Sequence, residues 1–234
     1  MLLHRLSQRG TDMAVRVVEV NKSLYAENDD RAEETRRRLK EQKTFLLNVM
    51  ASPGAGKSSV LLRAISMLKD RYAIGVMEAD IDATVDAEKM QQAGVRTIQV
   101  HTGGECAMNA AMTREGLENF ETKDLDLVFL ENVGNLVCPA EEDTGASMNL
   151  EILSVPEGDD KPLKYPLMFE VVSAVLVNKI DTKAYFDFDD RKVTERIHAL
   201  NPEAKIFFVS AKTGEGFDAF VSWLSEQVDS WNGK

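Results

Sequence analysis

Apolar positions fall into two kinds of run that alternate along the chain. Short aliphatic and β-branched runs at Thr44–Met50, Ala73–Met77, Thr97–Val100, Leu125–Leu130, Ile152–Val155, Ala174–Val177 and Ile206–Val209 predict strands. Between them lie amphipathic stretches. Lys57 to about Arg71, Val85–Ala93 (ended by Gly94), Ala107–Phe120, Asp190–Leu200 (stopped by Asn201-Pro202) and Phe217–Trp231 predict helices. Strands alternating with helices predict an α/β fold, a mostly parallel sheet flanked by helices on both faces. Residues 28–43 are dense in Arg, Lys, Glu and Asp and predict a solvated helix. Residues 1–12 show no such pattern, and Met13 competes with Met1 as the true start because a cleaner pattern begins there. The expected division is an N-terminal extension and charged helix over 1–43 and one domain over 44–234.

Composition narrows the class. The 234 residues carry a net charge of −11, which argues against nucleic-acid or anionic-membrane partners, since both reward a basic face. No apolar run is long enough to span a membrane and no secretory signal is visible, so a cytoplasmic, reducing setting is expected. The two cysteines, Cys106 and Cys138, make no disulfide framework.

"ASPGAGKSSV" sits between the first strand and the first amphipathic helix, the setting of a phosphate-binding loop. Gly54 and Gly56 permit the dihedrals that turn successive N–H groups, those of Ala55 and Ser59 included, toward phosphate. Lys57 reaches the β- and γ-phosphates, and the Ser58 hydroxyl suits Mg²⁺. Downstream, "VNKID" places Asn178, Lys179 and Asp181 after a buried strand. A carboxylate at Asp181 accepts from both guanine N1–H and the 2-amino group, a pair of donors that adenine lacks. "VSAKTGEG" places Ser210, Ala211 and Lys212 after the last strand, with the Ala211 N–H expected at guanine O6 and Lys179 and Lys212 along the base. Mg²⁺ needs further oxygens. Asp80, Asp82 and Asp86 follow the second strand, Asp80 being the preferred ligand, and Glu131 is expected to act through water. Gly134 lets nearby backbone approach the γ-phosphate. Lys57, Asp80 and Glu131 form the expected catalytic set for GTP hydrolysis. With no glutamine or arginine finger identifiable, the intrinsic rate is expected to be slow.

"EADIDATVDAEKM", "FLENVGNLVCPA", "EGDDKPLKYPLMF", "VNKID" and "VSAKTGEG", together with the phosphate loop, resemble the HypB family of hydrogenase nickel-incorporation GTPases. The resemblance runs from about Val20 to near the C-terminus and implies a P-loop NTPase fold. It also implies a cytoplasmic GTPase that forms a GTP-dependent homodimer and delivers nickel to the [NiFe] hydrogenase large subunit with the partner HypA. Lys161 and Lys164 match a segment near the family's dimer interface, where either is a candidate to touch nucleotide in the other subunit.

The same resemblance makes Cys106 and Cys138 candidate Ni²⁺ or Zn²⁺ ligands. Ala107 stands where the family has His, and neither an N-terminal cysteine motif nor a His-rich run is present. The histidines are His4, His101 and His198. His101, five residues before Cys106, is a candidate substitute ligand, weighed against an ordinary surface or core role. The cysteines themselves are weighed against inert core packing. Two other functions fit the residues. One is a chaperone GTPase for urease or a corrinoid-dependent mutase. The other is a guanine-nucleotide-regulated adaptor that handles no metal.

Overall fold

A computed structural model describes residues 22–80 and 93–234, without the side chains of residues 22–26 and Asp80. The expectations for residues 1–12, Met13, Asp82, Asp86 and most of the helix at 85–93 lie outside the described residues.

Seven strands form one all-parallel sheet: β1 (Phe45–Ala51), β2 (Ile74–Asp80), β3 (Arg96–His101), β4 (Leu127–Glu131), β5 (Met148–Ser154), β6 (Ala174–Asn178) and β7 (Lys205–Phe208). Their order is β3-β2-β4-β1-β5-β6-β7. The central strands β1 and β4 are buried along their whole length, so both faces must be apolar, and the sequence reads as a continuous hydrophobic run. The chain builds the β2, β3 and β4 side first and then crosses to β5, β6 and β7. The end of β1 is therefore the switch point where loops from both halves meet.

Helix α1 (Lys22–Gln42) precedes β1, and α2 (Lys57–Leu68) follows it. Helix α3 is Ala110–Phe120, α4 is Cys138–Glu141, α5 is Lys161–Lys164 and α6 is Pro166–Glu170. Helix α7 is Asp190–Leu200 and α8 is Phe217–Asn232. Val60, Leu61, Ala64, Ile65 and Leu68 repeat at helical spacing and bury one face of α2 against β1 and β4, together with Phe217, Phe220 and Leu224 of α8. Each such buried aliphatic side chain is worth about 1.5–3 kcal/mol. That packing fixes the angle at which the phosphate loop leaves the sheet.

Helix α1 departs from the expected solvated helix. Ala32, Thr35 and Leu39 are buried on one face, Asn28 Oδ1 accepts from Ala110 N at 3.0 Å, and Arg36 pairs with Asp143. Helix α3 starts at Ala110 rather than Ala107 because the Asn109 side chain caps it, accepting from Met112 N at 3.0 Å. Strands β2 and β5 are longer than expected. Each continues through an acid, Glu78 and Glu151, that is buried in the sheet.

Candidate nucleotide-binding site

The loop after Ala51 turns on two glycines in the left-handed region, Gly54 (φ +79°) and Gly56 (φ +104°). A Cβ at Gly56 would lie 2.7 Å from Asn178 Nδ2, so only glycine fits there. Gly56 is also the N-cap of α2 and makes no side-chain cap. The first N–H groups of that helix therefore face the loop with the positive end of the helix dipole, which is what an anion needs. The Lys57 ammonium packs beside Gly134: a Cβ at Gly134 would come 3.4 Å from Lys57 Nζ and 3.2 Å from Pro53 Cγ. The close backbone approach expected at Gly134 is thus used by the phosphate-loop lysine. An antiparallel bridge between Ala51 and Asn135 ties the two loops together.

In the first turn of α2, the Ser58 hydroxyl donates to Glu131 Oε1 at 3.0 Å. Glu131 is 5% exposed and lies in register with Glu78 of β2, which is 4% exposed. Both carboxylates therefore face α2 from adjacent strands. Asp80 closes β2 with its Cα opposite His101, which is exposed; the Asp80 side chain lies outside the described residues. Serine and carboxylate oxygens are hard donors of the kind Mg²⁺ takes, so this corner fits the ion expected from the sequence. Glu78 is a buried acid beside this corner that the sequence did not single out, because an acid after an apolar run reads as the strand's end.

Asn178 joins the phosphate loop to the loop after β7. Its Nδ2 donates to Ala55 O at 3.0 Å, and its Oδ1 accepts from Ala211 N at 3.1 Å. The Ala211 N–H expected at guanine O6 is thus engaged by Asn178. Lys179 takes a left-handed conformation (φ +63°) that returns its Nζ to Gly54 O at 2.6 Å. Ser210 Oγ donates to Asp181 Oδ1 at 2.6 Å, orienting that carboxylate. Arg63 of α2, absent from the expected set, donates to Ala211 O at 3.1 and 3.2 Å and to Lys212 O at 3.3 Å. It braces the loop from behind. Gly54, Ala55, Gly56, Asn178, Lys179, Asp181, Ser210, Ala211 and Lys212 are therefore one connected construction.

The cysteines converge but differ in state from expectation. Cys106, in the loop after β3, and Cys138, at the start of α4, are joined as a disulfide with Cα atoms 6.0 Å apart. Sequence reasoning expected two thiols in a reducing setting; bridged sulfurs are not thiolates and do not ligate as such. Asn135 Nδ2 lies 3.2 Å from Cys138 Sγ. Burial, then Glu141, Glu105 and Asp29, push the nearby Glu142 carboxyl up, so the bridge lies in a locally acidic region. Among the described residues, no group of three or more His, Cys, Asp and Glu is placed to hold a metal ion. Lys161 Nζ lies 3.5 Å from Glu157 Oε1 and over the Tyr165 ring, and Lys164 Nζ lies 2.6 Å from Asp160 Oδ2. His198 Nε2 lies 3.2 Å from Ala204 O. No helix among the described residues is long and apolar enough to cross a membrane.

Residues 45–208 match the family described as "CobW/HypB/UreG, nucleotide-binding domain". The chain is 42% identical over 209 residues to the hydrogenase maturation factor HypB of Rhizobium leguminosarum bv. viciae, covering 89% of this chain and 70% of that protein. It is 35% identical over 224 residues to the hydrogenase/urease maturation factor HypB of Helicobacter pylori, covering 94% and 92%. The crystal structure of HypB from Helicobacter pylori in complex with nickel superposes with a TM-score of 0.82 at 37% identity, covering 87% of this chain and 96% of that one.

Proposed function

From the premise that this chain belongs to the HypB family of maturation factors, we propose that it is a GTP-hydrolysing switch that times nickel insertion into [NiFe] hydrogenase. The observation that carries the guanine choice is the path from Ala55 O through Asn178 to Ala211 N, beside Asp181 held by Ser210. Asp181 lies in the turn just past the end of β6, and Asn178 at that end bonds the phosphate loop, which supports the guanine reading. Asp181 accepts the two guanine donors, Gly54 to Ser59 surround the phosphates, and Lys57 supplies positive charge where the γ-phosphate gains negative charge in hydrolysis. Ser58, Glu131 and Asp80 are the Mg²⁺ residues of this reading, and bound Mg²⁺ neutralises charge on the β- and γ-oxygens.

The metal reading needs the cysteines reduced. As thiolates, Cys106 and Cys138 offer one chain two soft ligands, and two chains in a homodimer offer four, which suits Zn²⁺ or Ni²⁺. The bridged loops begin where β3 and β4 end, so metal and nucleotide share the segment holding Glu131 and Gly134. HypA and the hydrogenase large subunit are the proposed partners and the cytoplasm the proposed setting. One named relative serves hydrogenase and urease, which favours urease as the second client to test.

Equilibrium binding and steady-state turnover with GTP and ATP test the switch. Preferential binding of Mg²⁺-GTP, with slow release of phosphate, is expected. Equal affinity for ATP, or no turnover at any GTP concentration, overturns it.

A further inference from the structure

Asn132 follows Glu131 directly, and its backbone N continues the sheet by donating to Val49 O at 3.0 Å. Strand alternation therefore turns the two side chains to opposite faces. Glu131 meets Ser58 of α2. Asn132 meets Asn48 of β1, which alternates with Leu47 and Val49, the residues of β1 that pack on the α2 side. Asn132 and Asn48 are each 1% exposed, so their amides need partners inside the protein.

Those partners form one chain across the sheet. Asn132 Oδ1 accepts from Met108 N at 3.1 Å and from Val133 N at 2.9 Å. Asn132 Nδ2 donates to Asn48 Oδ1 at 3.0 Å, and Asn48 Nδ2 donates to Asn149 Oδ1 at 3.0 Å. Asn149 Nδ2 donates to Val171 O, just past α6, at 3.2 Å. The backbone N–H groups at one end can only donate, and the carbonyl at the other can only accept. Every amide between them therefore has one orientation, since a reversed one would set two donors or two acceptors face to face. The Asn132 side chain cannot turn without breaking its bonds to Met108, Val133 and Asn48. What it holds lies against the phosphate loop: Val133 N begins the turn to Gly134, where a Cβ would come 3.4 Å from Lys57 Nζ. Met108 lies in the loop that carries Cys106, so the same amide ties that loop to the turn.

We infer that Asn132 is a positioning residue for the γ-phosphate side of the site, with Asn48 as its support through the sheet. The inference rests on the proposed reading of Lys57 and the Gly134 turn as γ-phosphate elements. Asn132 acts through backbone: it sets the Val133–Gly134 turn beside Lys57 and anchors the chain immediately after Glu131. Freed from Asn48, it no longer holds the turn in one place, and a displacement of about 1 Å near the reacting phosphate is enough to slow hydrolysis strongly.

Asn132→Ala, Asn48→Leu, Asn48→Asp and Asn149→Leu, each in the full chain, are compared with wild type. The readouts are thermal melting, steady-state GTP turnover, and equilibrium binding of GDP and of a non-hydrolysable GTP analogue. Asn132→Ala and Asn48→Leu both remove the bond between the two amides. Each is expected to lower kcat by about 10–100-fold and to lose preference for the GTP analogue over GDP, while GDP binding stays near wild type. Asn48→Asp, neutral at this depth, keeps the acceptor for Asn132 and donates its hydroxyl to Asn149, so it should recover most of kcat. Asn149→Leu removes only the far end of the chain and should lower the melting temperature with kcat kept. A merely structural ladder would weaken GDP and GTP binding together and make kcat follow melting temperature across all four variants. That result overturns the inference alone, as does wild-type turnover in both Asn132→Ala and Asn48→Leu, or loss of the cooperative melt in both. A wild type that hydrolyses no GTP overturns the proposed switch and this inference with it.

Discussion

Ser58 donates its hydroxyl hydrogen to Glu131 across 3.0 Å, joining the first turn of α2 to the last residue of β4. A serine oxygen and a carboxylate oxygen this close can face one hard cation together. Ser58→Ala removes one of the two while leaving the half-buried helix start intact. A loss of about 10–100-fold in Mg²⁺-dependent GTP turnover is expected, with little change in melting temperature. Glu131→Gln should give a loss of similar size. If turnover and its Mg²⁺ dependence are unchanged in Ser58→Ala, the cation sits elsewhere.

Asp181 is held by Ser210 at 2.6 Å, so its orientation is set before any base arrives. Asp181→Asn replaces a double acceptor with one acceptor and one donor. The donor then meets guanine N1–H or the 2-amino group, and a charge-assisted hydrogen bond worth about 1.5–3 kcal/mol is lost. Xanthosine triphosphate, with an accepting oxygen at C2, should gain relative to GTP. Competition binding decides this; an unchanged order of GTP over xanthosine triphosphate moves the base pocket away from Asp181.

Two glycines of the phosphate loop make a matched pair for mutation. Gly54 and Gly56 both have positive φ, so alanine at either is strained by about 1–3 kcal/mol. Beyond that strain they differ. At Gly54 a Cβ meets nothing within 4 Å, whereas at Gly56 it would press on Asn178 Nδ2 at 2.7 Å. Asn178 is buried and bonded on both sides and cannot yield without breaking its link to Ala55 or Ala211. Gly56→Ala should therefore lose more stability and much more GTP affinity than Gly54→Ala. Equal losses by thermal melt and equilibrium binding would mean that the Asn178 path does not hold the loop.

The sequence marks the segments proposed for phosphate and guanine because each combines particular residue types at a strand end, and the structure brings these segments together; the buried parallel strands read as apolar runs. The failures share a physical cause. Glu78 and Glu151 look like boundaries, since an acid seldom lies inside a sheet, so β2 and β5 were expected to stop or start beside them. Both acids are in fact inside, one on each face of the sheet. Among the described residues of α1 the buried face is Ala32, Thr35 and Leu39, one small, one polar and a single large apolar side chain, too sparse a stripe to stand out among the charges around them. The Cys106–Cys138 link joins residues 32 apart in sequence, a pairing that only the placement of the β3 and β4 ends reveals.

The cysteine pair gives the sharpest division between oxidised and reduced protein. The bridge fastens the loop after β3 to the loop that starts at Glu131 and contains Gly134, where Lys57 packs. Reduction leaves two thiols whose loops remain anchored, Cys106 between Thr102 and the Asn132-bound Met108, and Cys138 beside Asn135. Glu105, Glu141, Glu142 and Asp29 make the surroundings negative, which attracts a divalent cation. With Ala107 at the position where the resemblance leads one to expect a histidine, one chain offers two sulfur ligands, so a four-coordinate site would need a second copy. Titration with Ni²⁺ and Zn²⁺, read by metal content and by mass in solution, should therefore show binding only in reduced protein, at about one metal per dimer. Zn²⁺ should be favoured over Ni²⁺ more than in a Cys-His relative, and Cys106→Ala or Cys138→Ala should abolish the binding. GTP analogues should tighten it if, as proposed, the loop holding Glu131 serves both sites. Metal bound equally by oxidised protein or by both alanine variants would make the cysteines structural, and a reduced wild type that takes neither metal in any nucleotide state would leave the adaptor function in its place.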